Sequence, residues 1–103
     1  MDEVAWYYSN NSPYGTKPVK GKLPNGYGLY DMSGNVWEWE WDWYGSYPSS
    51  AETNPIGPLG GSDRVLRGGG WGNGAEDCRS ARRLSFNPGS RYDGVGLRLV
   101  LVP

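Results

Sequence analysis

The segment from Tyr27 to Tyr44, YGLYDMSGNVWEWEWDWY, constrains the fold more than any other part of the chain. From residue 36 onward it alternates between two kinds of side chain. These are the tryptophans Trp37, Trp39, Trp41 and Trp43 and the carboxylates Glu38, Glu40 and Asp42. Because successive side chains of a β-strand point to opposite faces, the pattern predicts a strand with an indole face and an acidic face.

The indole face is predicted to form the core, together with Trp71. Each large aromatic side chain buries roughly 150–250 Å², so four neighbouring indoles could nucleate a small domain. The alternative is an exposed surface on which sugar rings, bases or a partner stack.

The acidic face requires positive charge. Carboxylates two positions apart along a strand lie about 6.6 Å from each other and repel unless a cation or arginines lie opposite. Residues 1–63 carry eight acids and three lysines, whereas residues 64–103 carry seven arginines and three acids, so the two halves are expected to face each other. The expected ion-pair network comprises Glu40, Asp42, Arg79, Arg82, Arg83 and Arg98. Internal use of the arginines argues against a nucleic-acid partner.

Composition narrows both fold and function. With 103 residues, 17 glycines and 8 prolines, the chain is expected to be one loop-rich domain of class α+β, mostly β and loop. It has no histidine and one cysteine, Cys78, which excludes catalytic triads, histidine metal sites and an internal disulfide. No apolar run could cross a membrane and no signal-like start is seen, so we expect a soluble protein without a membrane partner, of unknown compartment.

Residues 64–71 (RVLRGGGW) are predicted to form a second strand, and residues 94–102 (GVGLRLVLV) a closing strand with Val95, Leu97, Leu99 and Leu101 on one face. Arg98, on the other face, is expected to pair with a carboxylate of the tryptophan strand. The long segments 45–63 and 72–77 are predicted to be loops that meet a partner. The glycine-rich run after residue 67 lacks the Lys-Ser/Thr of a phosphate-binding loop.

Four motifs in order, GLYDMSGNVWEW, RVLRGGGW, CRSARR and GVGLRLV, resemble the C-terminal part of the formylglycine-generating enzyme, or sulfatase-modifying factor, family. The resemblance runs from Pro24 to the end of the chain. It implies a variant of the C-type lectin fold, irregular and with a small twisted antiparallel sheet. Residues 1–103 are then expected to be a single domain that lacks the N-terminal part of the family domain.

The resemblance also implies what activity to look for. Enzymes of the family oxidise a substrate cysteine to formylglycine with two copper-binding cysteines in the segment that here spans residues 70–79. Asn73 stands where the first cysteine is expected, and Cys78 does not match the second. Because copper(I) needs two soft thiolates, no copper is expected. Many relatives have a cysteine where Glu40 stands, paired with one before Arg-Ser-Ala. Glu40 is instead expected to pair with Arg79, Arg82 or Arg83.

A calcium site is the second implied feature. By resemblance its ligands are Asp31, the carbonyls of Gly34 and Val36, and Glu38, and two carboxylates with two carbonyls suit calcium. The alternative is a turn in which Asp31 caps backbone amides and Glu38 pairs with an arginine.

We expect a non-catalytic module for binding or structure, stabilised by calcium, with an unidentified protein, peptide or glycan ligand. Exposed apolar surface on a domain without its N-terminal part would favour a homodimer, or a separate segment that covers it. Formylglycine generation is the enzymatic alternative. A second one is an inverting glycosidase that uses neighbouring carboxylates of the acidic face.

Overall fold

The tryptophan-rich segment forms the longest strand of the protein. A computed structural model describes residues 1–53 and 55–100. In chain order its elements are β1 (Ala5–Trp6), β2 (Ser33–Gly34), β3 (Trp37–Trp43), β4 (Arg64–Arg67), a 3₁₀ turn (Ala75–Cys78), β5 (Arg83–Phe86) and β6 (Val95–Gly96). The prediction of a mostly β and loop protein is confirmed, and the one helical element among the described residues is the 3₁₀ turn.

Four strands form one sheet in the order β5-β4-β3-β6. The pairs β3–β4 and β4–β5 are antiparallel, whereas β3–β6 is parallel. The sheet is therefore mixed, and the prediction of a small antiparallel sheet fits the pairs β3–β4 and β4–β5 but is wrong for β3–β6. Classification as C-type-lectin-like stays a prediction.

The strand register assigns residues to the two faces of the sheet. Glu38 lies opposite Arg67, which lies opposite Arg83, so these three side chains share one face. Trp39 and Leu66 are paired on the opposite face, where Leu66 is fully buried. The predicted acidic face and the arginine-bearing strands therefore do meet.

Burial differs sharply along the indole row. Trp37 is 5% exposed, but Trp41 is 87% exposed, so the assignment of Trp41 to the core is wrong. Two features explain the difference. The β3–β4 register shifts between Trp39 and Trp43, and β6 pairs only with residues 37 and 38. Trp39, Trp43 and Trp71 are partly exposed.

The predicted closing strand is much shorter than expected. Only Val95 and Gly96 pair with β3, and Leu97, Leu99 and Val100 are exposed. The shared apolar face predicted for residues 95–101 is therefore wrong for Leu97 and Leu99, while Leu101 lies outside the described residues. Alternation alone did not reveal that no element among residues 1–53 and 55–100 covers Leu97 and Leu99.

The N-terminal strand is joined to the rest of the protein through the backbone. β1 and β2 pair in parallel, with Trp6 beside Gly34. Gly34 has a φ of 78°, and a Cβ atom there would lie 2.3 Å from the carbonyl oxygen of Trp6. Only glycine combines this φ with so close an approach. The turn before β3 is thereby fixed against β1.

Within the described ranges, no helix has both the length and the apolar character needed to cross a membrane.

Candidate functional site

The turn that precedes β3 binds an arginine. Arg98 donates from Nε to Glu38 Oε1 at 3.0 Å and from Nη2 to Glu38 Oε2 at 3.1 Å. Nη2 also donates to the carbonyl oxygens of Tyr30 and Asp31, at 2.8 and 3.0 Å. The hydrogen bonds to Glu38 raise the pKa of Arg98 above its ordinary value, so the guanidinium stays charged.

The expected calcium ligands do not fit a metal ion in this arrangement. Both oxygens of Glu38 are bonded to Arg98, and Asp31 Oδ2 accepts a hydrogen bond from the backbone N–H of Lys20 at 2.8 Å. In residues 1–53 and 55–100, no three acidic, cysteine or histidine side chains are grouped so that they could hold a metal. The positive charge at this turn is the guanidinium of Arg98, as in the alternative considered from the sequence.

Asn35 holds the same turn from the other side. This buried residue has a φ of 65°. Its side chain accepts from the N–H of Lys17 and donates to the carbonyl oxygen of Lys17, each at 2.9 Å. The two bonds tie the turn to the segment around Lys17, so the turn is held by a side chain that sequence reasoning did not single out.

The acidic face of β3 is only partly neutralised. Glu38 pairs with Arg98, but Glu40 and Asp42 belong to none of the ion pairs that the described residues form. Burial and the neighbouring carboxylates Asp42 and Glu38 raise the pKa of Glu40, and only Arg67 opposes them.

The prediction that Glu40 pairs with Arg79, Arg82 or Arg83 is wrong. Arg82 pairs with Asp77 at 3.0 Å, Arg79 donates to the carbonyl oxygen of Glu76, and Arg83 donates to that of Gly45. Arg79 and Arg82 find acceptors a few positions away in the chain, and Arg83 finds one on the segment after β3, which the charge count could not show.

Asn73 organises the segment of residues 70–79. Its Oδ1 accepts from Trp37 Nε1 at 2.8 Å and from the N–H of Gly70 at 3.1 Å. Its carbonyl oxygen accepts from the N–H of Tyr8 at 2.9 Å. Asn73 therefore ties this segment to β3 and to the N-terminal residues.

Cys78 lies in the core. It is 1% exposed, and a Cβ atom on Gly69 would lie 2.7 Å from its sulfur. Burial first, and then the carboxylates of Asp77 and Glu76, raise the pKa of the thiol. Cys78 is thus both inaccessible and a poor source of thiolate.

A cleft of about 830 Å³ lies on the acidic face of the sheet. Its floor is formed by Glu40 and Asp42 of β3, Arg67 of β4 and Arg83 of β5, its edge by Trp41, and its wall by residues of the 45–58 segment. The cleft therefore joins the charged residues of the sheet to the first long loop predicted to meet a partner.

Two tyrosines fix the arginines of this cleft. The guanidinium of Arg83 lies 3.8 Å from the ring centroid of Tyr47 and 4.5 Å from that of Tyr44. Arg67 donates to the hydroxyl of Tyr47 at 3.2 Å and to the carbonyl oxygen of Ser80 at 2.9 Å. Sequence reasoning missed Tyr47, because its position depends on how the loop folds back over the sheet.

A family model described as the sulfatase-modifying factor enzyme 1-like domain matches residues 3–102. The chain belongs to this family. Its relatives include the formylglycine-generating enzyme of Mus musculus, 46% identical over 88 residues that make up 82% of this chain and 24% of the mouse protein. Another relative is serine/threonine-protein kinase pkn1 of Chlamydia caviae, 48% identical over 87 residues that make up 81% of this chain and 14% of the kinase.

The fold is similar to that of proteins whose structures have been solved. Treponema denticola variable protein 1 superposes with a TM-score of 0.86 and 44% identity over 93% of this chain and 35% of the treponemal chain. The chain spans about a quarter or less of the length of the mouse enzyme and of the Chlamydia caviae kinase. Proteins with different names match it almost equally well, so family membership alone does not fix an activity.

Proposed function

We propose that this chain is a non-catalytic member of the sulfatase-modifying factor family that serves as a binding module, in a C-type-lectin-like fold. The observation that carries the proposal is the role of Asn73. By family resemblance this position holds the first copper-binding cysteine of the enzymes, and here its side chain holds together β3 and the 70–79 segment.

The state of Cys78 supports the same proposal. A copper(I) site needs two soft thiolates, whereas this chain has one cysteine, which is buried and has a raised pKa. Neither the ligand number nor the protonation state suits the metal. Oxidation of a substrate cysteine at this segment therefore lacks its cofactor site.

The enzymatic alternative can be tested directly. The chain is incubated with copper(I), oxygen and a cysteine-containing peptide, and the peptide is analysed by mass spectrometry for the aldehyde, with the mouse enzyme as positive control. Copper(I) affinity is measured separately by competition with a chromophoric chelator. We expect no aldehyde and no tight copper binding. Aldehyde formation that is lost in Cys78→Ser would overturn the proposal.

The binding role is assigned to the cleft between β3 and the 45–58 segment. Binding sites are typically concave, with mainly apolar walls and a few polar groups that fix orientation. The cleft combines the exposed indole of Trp41 and the side chain of Ile56 with charged groups on the sheet. Its wall is a loop, and loops on a rigid sheet commonly carry specificity.

Self-association belongs to the proposal, and calcium binding belongs to it only for a state in which Arg98 has left Glu38. Calcium can use Glu38 only if Arg98 leaves it, so calcium stabilisation requires that displacement. Self-association is favoured by the exposure of Leu97, Leu99 and Val100, which form a short apolar stretch beside the sheet edge. Sedimentation across a concentration series tests the latter, and a species that stays monomeric at the highest concentration would exclude it.

A further inference from the structure

In the cleft, the arginine side chains already donate hydrogen bonds within the chain, whereas two carboxylates form no ion pair with the described residues. Arg67 donates to Ser80 and Tyr47, and Arg83 donates to Gly45 while its guanidinium stacks on two tyrosines. Glu40 and Asp42, on the same floor, have no ion-pair partner among the described residues. The uncompensated groups of the cleft are therefore carboxylates.

Glu40 and Asp42 are positioned so that both can contact one cationic group. They are two positions apart on β3 and both line the cleft. They lie where the β3–β4 register shifts, so the regular strand spacing does not fix their separation, but both line the cleft and Asp42 lies close enough to Glu40 to raise the pKa of Glu40. A cation between them can therefore contact both. Glu38, next in the row, is already paired with Arg98 and does not compete.

The wall of the cleft suits an apolar stem. Trp41 and Ile56 are exposed beside the carboxylates, and Pro55 and Pro58 complete this side. Lysine and arginine side chains carry their charge on three or four methylene groups that pack along apolar surfaces. A small inorganic cation would leave these walls in contact with water.

We propose that the cleft binds a lysine or arginine side chain of a peptide partner, with the cationic head between Glu40 and Asp42 and the stem against Trp41 and Ile56. The proposal rests on the proposed binding function and names the chemistry of its ligand. The raised pKa of Glu40 agrees with it, because Arg67 does not outweigh the effects of burial and of Asp42, and a carboxylate in this state suits a ligand that brings a further cation.

The test uses the full 103-residue chain and four acetylated, amidated tripeptides. Their sequences are Gly-X-Gly with X as lysine, arginine, norleucine or glutamate. Binding is followed by nuclear magnetic resonance of the tryptophan indole N–H signals at low ionic strength, where charge contacts are least screened. We expect the lysine and arginine peptides to bind at least about fivefold more tightly than the norleucine peptide, with the Trp41 signal shifted most.

Variants connect the binding to the two carboxylates. Glu40→Gln and Asp42→Asn are each expected to weaken the lysine peptide about fivefold or more. Glu76→Gln, which removes an exposed carboxylate of the 3₁₀ turn, is the matched control and is expected to leave binding unchanged. Thermal melts establish that each variant is folded.

Three outcomes would overturn the ligand assignment. Tighter binding of the glutamate peptide would assign the site to Arg67 and Arg83, and equal binding of norleucine would make it an apolar site; both would leave the binding module intact. Absence of binding by every peptide to the folded chain would reject the cationic ligand. The binding-module proposal fails on a different readout, namely copper-dependent aldehyde formation.

Discussion

Glu38 and Arg98, 60 positions apart in the chain, form a two-pronged ion pair that joins β3 to the segment after β6. The same guanidinium also caps the carbonyl oxygens of Tyr30 and Asp31. The side chain of Arg98 thus links the turn, β3 and the segment after β6 to one another. The arrangement uses an internal cation where the family resemblance implied calcium.

Replacement of Arg98 by alanine is expected to destabilise the protein by about 1 kcal/mol, because it removes a two-pronged, partly solvated ion pair with Glu38 and the donor to two carbonyl oxygens. Urea unfolding at neutral pH measures the change. Arg91→Ala removes another exposed arginine from the same part of the chain and is expected to cost less than about 0.5 kcal/mol. Equal effects of the two substitutions would show that the ion pair contributes nothing specific.

Calcium is expected to affect the melting temperature of Arg98→Ala but not that of the native chain. In the native chain Arg98 occupies Glu38, so calcium and the chelator EGTA should leave the melting temperature unchanged. In Arg98→Ala the turn oxygens are released, and calcium should raise the melting temperature. A calcium-dependent rise in the native chain that Asp31→Ala abolishes would show that the metal displaces the arginine.

Because Trp37 is buried and Trp41 is exposed, replacement of each by alanine should reduce stability by very different amounts. Trp37→Ala removes a 5% exposed indole and should cost about 3–5 kcal/mol. Trp41→Ala removes one that is 87% exposed and should cost less than about 1 kcal/mol, since the ring lies mostly in solvent and its cation contact is with the guanidinium of Arg64. Chemical unfolding of both variants measures the contrast, and comparable losses would contradict the exposure of Trp41.

Asn73 is expected to be a structural residue that the rest of its segment depends on. Asn73→Ala should destabilise the chain by about 1–3 kcal/mol, because the indole N–H of Trp37 and the N–H of Gly70 lose their acceptor. A double-mutant cycle with Trp37→Phe isolates the first of these bonds. Strictly additive losses would mean that the two side chains are not coupled. Asn87→Ala, in an exposed turn, is the matched control.

Glu40 is expected to reduce stability at neutral pH. Its pKa is higher in the folded protein than the ordinary value of 4.5, because of burial, Asp42 and Glu38. The folded state therefore binds more protons between those two pKa values, and stability falls as the pH rises through that window. Glu40→Gln should accordingly be more stable than the native chain at pH 7.

The advantage of Glu40→Gln should disappear once the pH is below the ordinary carboxyl pKa, where both forms are neutral. Urea unfolding at several pH values measures it, with Glu76→Gln as the matched glutamate. A variant that is less stable than the native chain at pH 7 would show that Glu40 has a favourable partner. The predicted gain in stability together with loss of peptide binding would separate the two roles of this residue.

Sequence reasoning succeeded where a local rule fixes the answer. Alternation assigned Glu38 to one face and Trp39 to the other, and an arginine in a strand-like apolar run required a carboxylate, which Arg98 finds in Glu38. It failed where the answer depends on what lies across from a residue. Trp41 and Leu99 continue the alternation in the sequence, but the β3–β4 register shift at Trp41 and the two-residue length of β6 leave them uncovered.

The cleft could not be predicted from the sequence for the same reason. Its loops were predicted as surfaces that meet a partner, but the positions of Tyr47 and Ile56 over the sheet depend on long-range contacts. The charge count predicted that arginines and carboxylates would meet, and it could not show that loop carbonyls and tyrosines would take the arginines first. Glu40 was consequently expected to be paired and is not.

The loop that walls the cleft is anchored near its start by side chains of the sheet. Arg83 holds the carbonyl oxygen of Gly45 and Arg67 holds the hydroxyl of Tyr47, while residues 48–53 and 55–58 carry no regular secondary structure. Length and composition of residues 48–53 can therefore vary more readily than those of the part from Gly57 onward, where Gly57 approaches Asp42 of β3 closely. This division makes the chain a natural scaffold for diversification, in which new specificities could be selected from loop libraries while the two arginines and their partners are kept constant.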